Sequence, residues 1–351
     1  MISVAKAISR HVPYAWVVAV CTFFCLLVSA GLRATPGVLI VPLEEAFGWS
    51  RATISAAVSI NIVLYGFMGP FAAAAMQRFG IRRTLLTALG LLASATALTS
   101  QISQPWHLML TWGVLVGLGT GTMALVLAAT IVNRWFVARK GLVMGVLTAS
   151  TATGQLIFLP LLASLATAYG WQAVAWCVAL TAAGMLPVAA LFIPERPASI
   201  GLLPYGATEA PASDVTKGNP IVNAIRALAS ASQKRDFWLL AGSFFVCGLS
   251  TNGLIGTHLI SACIDHGIPE VRAASILAFM GVCDLIGTTL SGWLSDRYDS
   301  RILLFCYYFF RGLSLLYLPY SDFTLFGLSF FTVFYGLDWI ATVPPTVRLD
   351  R

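Results

Sequence analysis

The stretch "QRFGIRR" (residues 77–83) returns near the other end of the chain as "DRYDSRI" (residues 296–302). Setting Gln77 on Asp296 shifts the chain by 219 residues, and Arg78 then meets Arg297, Phe79 meets Tyr298 and Arg82 meets Arg301. The same shift puts Gly37 on Gly256. Each stretch lies between two apolar runs and reads as a tight basic turn joining two helices. Such turns favour Arg and Gly wherever they occur. The match alone therefore leaves two readings open, an internal duplication or a shared loop chemistry.

The flanking runs decide where these turns sit. Of the 351 residues, 58% are hydrophobic and 10% charged, against roughly 25% charged in soluble domains. The apolar residues gather in runs of about twenty, the length that carries a helix across a ~30 Å hydrocarbon layer. The class is an all-α polytopic membrane protein. Ten spans are predicted, at about 13–34, 53–75, 84–102, 106–132, 141–165, 171–193, 237–260, 272–293, 301–319 and 323–345. The first is too long for the apolar core of a signal peptide and reads as a retained span.

Lysine and arginine orient the chain. If both termini are cytoplasmic, all but four of the 21 lysines and arginines fall on cytoplasmic segments. The exceptions are Arg51 and Arg272 on the opposite side and Arg33 and Arg311 within spans. The expected location is a cell's inner (plasma) membrane, crossed many times. The formal charge of +7 punctuates the loops between spans, so no nucleic-acid partner is expected; the bilayer is. The seven cysteines fall mostly within apolar runs and form no CxxC pair, and the histidines lack ligand spacing, so neither a disulfide framework nor a metal site is predicted. No Walker loop or enzyme constellation is present; the glycines of "GVLVGLGTG" (113–121) lie in a span, not between strand and helix. No cofactor and no enzymatic activity are expected.

Three regions follow: a six-span half (1–193), a linker (194–236) and a four-span half (237–351). The linker contains "PERPASIGLLPYGATEAPASDVTKGNP", rich in Pro, Gly, Ala and Ser, and reads as irregular. Asn219 and Pro220 form an N-cap and first-turn pair, with Ile221, Ile225 and Leu228 following on one face. That pattern predicts a short amphipathic helix on the membrane surface.

The basic turns also resemble a family signature. "GWLSDRYDSR" (292–301) resembles the G-x-x-x-D-R-x-G-R-R/K motif of the major facilitator superfamily, supplying Gly292, Asp296, Arg297 and Arg301, with Asp299 where glycine is usual. The first copy keeps Arg78, Gly80, Arg82 and Arg83 but has Ala73 for the glycine and Gln77 for the aspartate. The resemblance implies that both turns gate the cytoplasmic side, with the charge relay incomplete in the first. "GLRATPGVLIVPLEEAFGWSRATIS" (31–55), "RWFVARKGLVMG" (134–145), "RPASIGLLPYG" (196–206) and "GLDWIATVPPTVRL" (336–349) are similar to the bacterial branch related to monocarboxylate porters and oxalate/formate antiporters. The fold so implied has twelve helices; here residue 351 corresponds to Val132, so six plus four are expected, with the last two absent.

Charged residues at membrane depth need a partner or a wet cavity. Arg33 either snorkels to the interface or, as the resemblance implies for span 1, faces the cavity and attracts an anion; the 219 shift pairs it with Asn252 of span 7. Asn61 and Tyr65, one turn apart in span 2, and Tyr335 of span 10 are further candidate substrate contacts, although such residues are more often interhelical contacts. Asp284 begins a polar stripe with Thr288 and Ser291 in span 8 and is the candidate proton carrier. Monocarboxylate porters have an arginine one turn after this aspartate; here it is Thr288. Arg311 of span 9 needs a counter-ion, Asp338 of span 10 first and Asp284 second. The expected function is secondary transport of a small organic anion, monocarboxylate-like, by alternating access, with proton coupling in symport or antiport. A non-transporting truncated remnant and a drug or metabolite efflux antiporter remain alternatives.

Overall fold

The structure is a computed structural model and describes residues 12–209, 220–295 and 297–348. Among these residues, nine helices are long and apolar enough to cross a membrane. They are span 1 (Tyr14–Phe47), span 2 (Arg51–Arg78), span 3 (Ile81–Thr99), span 4 (Pro105–Trp135), span 5 (Lys140–Tyr169), span 6 (Trp171–Phe192), span 7 (Arg235–Asp265), span 8 (Glu270–Ser295) and span 9 (Ser300–Ser321). The protein is an all-α, multi-pass membrane protein.

Two boundaries correct the sequence reading. Span 1 was expected to stop near residue 34, before "ATPG". Instead it continues through Pro36 and Pro42 to Phe47 and ends on Gly48 in the left-handed region (φ 67°). Proline is tolerated inside a membrane helix where neighbours supply the lost contacts, and Thr35, Pro36 and Gly37 are all buried. Arg33 is consequently interior to its helix, roughly 20 Å from its end at 1.5 Å per residue.

The tenth predicted span is the second correction. It is a 13-residue apolar helix, Leu325–Leu337, then a break, then Val343–Arg348. Pro344 and Pro345 explain the interruption: a proline has no N–H to give to the preceding turn, and its ring crowds the carbonyl four residues back.

In the first six spans, span 1 lies against spans 5 and 6, span 3 against span 6, and span 2 against span 4. The halves meet where span 1 touches span 7, span 2 touches the middle of span 7, and span 5 lies along span 8. Toward the basic end, the first stretch of span 7, Arg235–Gly248, has no buried residue. The start of the linker is more ordered than its composition predicts. Tyr205 takes the carbonyl of Trp135 at 2.8 Å and offers its own to the N–H of Val137 at 2.9 Å, which pins the segment to the end of span 4. The amphipathic helix runs over Pro220–Ala231 and lies against span 2; its expected cap, Asn219, lies outside the described residues.

Candidate functional site

Between the halves lies a cavity of about 50 Å³, lined by Arg33, Asn61, Tyr65, Gln155, Asn252 and Thr257 among others. Four of the five expected substrate contacts therefore line one cavity. The 219 shift acquires a spatial meaning here. Arg33 and its counterpart Asn252 line the same cavity, and a Cβ on Gly37 would come within 2.9 Å of the Gly256 carbonyl oxygen. Equivalent positions of spans 1 and 7 thus face each other across the seam, and a side chain at 37 would force them apart. Asn252 sits in a π-helical stretch, Leu249–Ile255, a distortion common at functional sites. The Asn61 amide is already committed, donating to the Trp112 carbonyl at 2.8 Å. The Arg33 guanidinium lies over the Tyr65 ring, 4.8 Å from its centroid. Among the described residues no carboxylate lies within 4.0 Å of it.

The fifth candidate, Tyr335, is elsewhere. It is fully buried beside the Arg311 guanidinium, with its hydroxyl 3.5 Å from that of Thr251. Arg311 is the one buried residue of Ser300–Tyr317. Its Nε donates to Asp338 Oδ2 at 2.7 Å. Nη2 donates to the carbonyls of Asp338 and of Trp339, the latter at 3.0 Å. Nη1 reaches Cys247 Sγ at 2.8 Å and Thr251 Oγ1 at 3.2 Å.

Those carbonyls are free because the tenth segment is broken. Residues 338–342 are non-helical at membrane depth, where unmet backbone groups are costly. Span 8 supplies further partners. Asp284 Oδ1 accepts the Ile340 N–H at 3.0 Å and the Thr288 hydroxyl at 2.8 Å, and Ser291 Oγ donates to the Ala341 carbonyl at 2.5 Å. The polar stripe of span 8 is therefore the cradle of the break. Asp284 bonds backbone rather than Arg311. Trp339, inside the break, reaches the wall of the seam cavity, so the two regions are joined through residues 338–340.

At the end opposite the basic turns the halves are tied by Arg51. Its Nη2 donates to Asp265 Oδ1 at 2.7 Å, Nη1 bonds the other oxygen, and Nε donates to Glu44 Oε2 at 2.8 Å. At the basic end, Gly80 adopts φ 95°, in the region that favours glycine. A Cβ there would collide with the Glu195 carboxylate at 2.0 Å. That carboxylate takes the N–H groups of Ile81 and Arg82, the latter at 3.1 Å, at the positive start of span 3. It also lies 3.8 Å from Arg134. Where the first basic turn lacks the motif aspartate, Glu195 from beyond span 6 stands on the next helix. Sequence spacing gave no sign of this, because the acid lies over a hundred residues from the turn. In the second turn Asp299, aligned with Gly80, caps span 9 by accepting the Arg301 N–H at 2.8 Å. Arg297 lies 3.7 Å from the Trp293 ring centroid. Arg78 lies beside Phe79, Gly292 meets no close neighbour at its Cβ position, and Asp296 lies outside the described residues.

Comparison with known proteins follows the same architecture. The sequence signature of the Major Facilitator Superfamily matches residues 22–349. The chain is 28% identical over 341 residues to the uncharacterized MFS-type transporter YcxA of Bacillus subtilis, covering 94% of this chain and 78% of that protein. It is 27% identical to monocarboxylate transporter 13 of Bos taurus, covering 94% and 73%. A solved bacterial homolog of the human lysosomal transporter Spinster, inward-facing and occupied, superposes with a TM-score of 0.71 at 16% identity, covering 95% of this chain and 74% of that one.

Proposed function

The chain belongs to the Major Facilitator Superfamily, and from that premise we propose that the small molecule it carries across a membrane is an organic anion, monocarboxylate-like, bound at the seam cavity by Arg33. One observation carries this reading. Arg33 is a guanidinium in the interior of an apolar helix, facing a cavity, with no carboxylate in reach among the described residues. An unpaired cation at such depth is costly, and a carboxylate ligand is its natural partner. Tyr65 holds the guanidinium from one side, while Gln155, Asn252 and Thr257 offer hydrogen bonds from spans 5 and 7. The similarity to monocarboxylate transporter 13 supports the same substrate class.

A cavity of about 50 Å³ has room for a few waters, so loading requires the halves to separate. We place the basic turns on the cytoplasmic side, at an inner membrane, with both termini there; the exposed first stretch of span 7 then borders the inward path. The Arg51–Asp265 pair and the Gly37–Gly256 contact close the outer side, and rocking between these ends gives alternating access. Asp284 is the proposed proton carrier. A proton on its carboxylate weakens its hold on the Ile340 N–H, loosening the break beside Trp339 and hence the cavity wall.

The test is uptake of labelled monocarboxylates into proteoliposomes, with and without a pH gradient. Arg33→Gln is expected to lower kcat/KM by about 30-fold or more, the value of one or two charge-assisted hydrogen bonds, with thermal stability of the ligand-free protein unchanged or raised. Asp284→Asn keeps an acceptor oxygen and is expected to retain exchange but lose accumulation driven by the pH gradient. Unaltered uptake by Arg33→Gln removes the anion assignment; unaltered proton-linked accumulation by Asp284→Asn removes the coupling role.

A further inference from the structure

The basic end of the six-span half contains a feature that transport through the seam does not use. A crevice of about 900 Å³ opens where span 2 ends, span 3 begins and span 4 ends, and it is lined by Arg78, Arg82, Arg83, Arg134, Arg196 and Glu195 among others. Its single acid is already committed to the first N–H groups of span 3 and to Arg134. Arg134 is further held by the Met76 carbonyl at 3.3 Å. Among the described residues Arg78, Arg82, Arg83 and Arg196 have no carboxylate within 4.0 Å, and Arg82 Nε is buried without a hydrogen-bond partner.

Four uncompensated guanidinium groups around one hollow repel each other, and the positive start of span 3 adds to their field. An anion with several acceptor oxygens would relieve that repulsion. Arginine forks match the geometry of phosphate oxygens, two parallel N–H groups to two oxygens. The position is informative as well. The crevice lies at the ends of membrane-length helices, the level of lipid headgroups, and Phe79 at its lip is 53% exposed, as expected for an aromatic side chain at the interface. Basic pockets between helices at this level suit anionic headgroups. The second basic turn differs: Arg297 is stacked on Trp293 and Asp299 caps the following helix.

We propose that this crevice is a binding site for a phosphate-bearing anion, supplied either by the headgroup of an anionic phospholipid or by a soluble phosphate.

The test uses the purified full chain in detergent, with native mass spectrometry and thermal unfolding as readouts. The probes are short-chain phosphatidylglycerol, short-chain phosphatidylcholine and inorganic phosphate. Two double variants remove the same charge from the same end of the molecule: Arg83→Gln/Arg196→Gln within the crevice, and Lys234→Gln/Arg235→Gln outside it. All four positions are exposed, so both variants are expected to fold. Phosphatidylglycerol is expected to bind the native chain about tenfold or more tightly than phosphatidylcholine, and the crevice variant to lose about tenfold while the other retains the affinity. Competition by inorganic phosphate supports the site and assigns it to a soluble anion; binding that phosphate does not displace supports it and assigns it to the lipid. Equal affinity for the two lipids together with no binding of phosphate overturns the proposal. So does an equal loss in both variants, which would mean diffuse surface charge.

Discussion

Arg33 of span 1 and Arg311 of span 9 are both guanidinium groups inside long apolar helices, and the two halves house them differently. Arg311 is surrounded by acceptors: one carboxylate oxygen, two main-chain carbonyls, a thiol and a hydroxyl. Arg33 has a tyrosine ring and a cavity. A saturated arginine has no donors left for a ligand and holds structure together; an unsaturated one is costly unless a ligand completes it. On that contrast rests the proposal that Arg311 serves the scaffold and Arg33 the ligand. Tyr335, expected at the substrate, lies beside Arg311 and not in the lining of the seam cavity.

The comparison breaks first at the pair. Asp338→Asn or Arg311→Gln each leaves one buried group without its counter-charge, a loss of about 3–5 kcal/mol, and each is expected to reduce folded protein sharply in detergent size-exclusion profiles. The Arg311→Gln/Asp338→Asn double variant is expected to cost less than the two single losses combined, because no lone charge remains. If both single variants fold as well as the native chain, Arg311 is not scaffold and the contrast with Arg33 fails.

Arg33→Lys sharpens the other side. The charge stays, but the planar fork over Tyr65 is lost. Uptake is expected to fall by about tenfold, less than for Arg33→Gln, with thermal stability within about 0.5 kcal/mol of the native chain. A large loss of stability would mean that Arg33 also serves the fold.

The turns carry the comparison to the ends of the helices. Gly80 and Asp299 occupy aligned positions but do different work: one makes room for Glu195, the other caps its own helix. Gly80→Ala forces a left-handed conformation on an L-residue and pushes Glu195 off span 3; the strain costs about 1–3 kcal/mol. Asp299→Ala loses a cap, about 1 kcal/mol. Unfolding midpoints of the two variants should rank in that order, and the reverse order would remove the account of the first turn.

Much of this was legible beforehand, for reasons that differ by residue. Helix-length apolar runs and loop arginines follow from the solvent, so the spans and the basic turns can be read directly. Arg33, Asn61, Tyr65 and Asn252 could be grouped because polar side chains in apolar helices are few and the 219 shift pairs two of them. The break at 338–342 had its signal in Pro344 and Pro345, yet the apolar run continued through it, and hydropathy does not register a missing N–H. Span 1 misled in the opposite direction, since Pro36 reads as a stop but is tolerated by packing that only the fold supplies. Glu195 left no trace in the turn it completes, because its partners are backbone N–H groups, which every sequence has.

The smallest effect is expected at the closed end of the seam. Arg51 joins Glu44 of its own half to Asp265 of the other, but the side chains are 36–45% exposed. Water and salt screen such pairs, and each is worth about 0.2–1 kcal/mol. Arg51→Gln should therefore leave folding intact and shift the balance between closed and open states of that end by about fivefold at most, read as faster labelling of a cysteine placed near residue 265. Raising the salt concentration in the native chain should reproduce part of that shift, since the Debye length contracts to about 3 Å at 1 M. The Gly37–Gly256 approach is close and carries no net charge, so salt should leave it unchanged. A labelling rate that responds to neither Arg51→Gln nor salt would assign the closure of that end to helix packing alone.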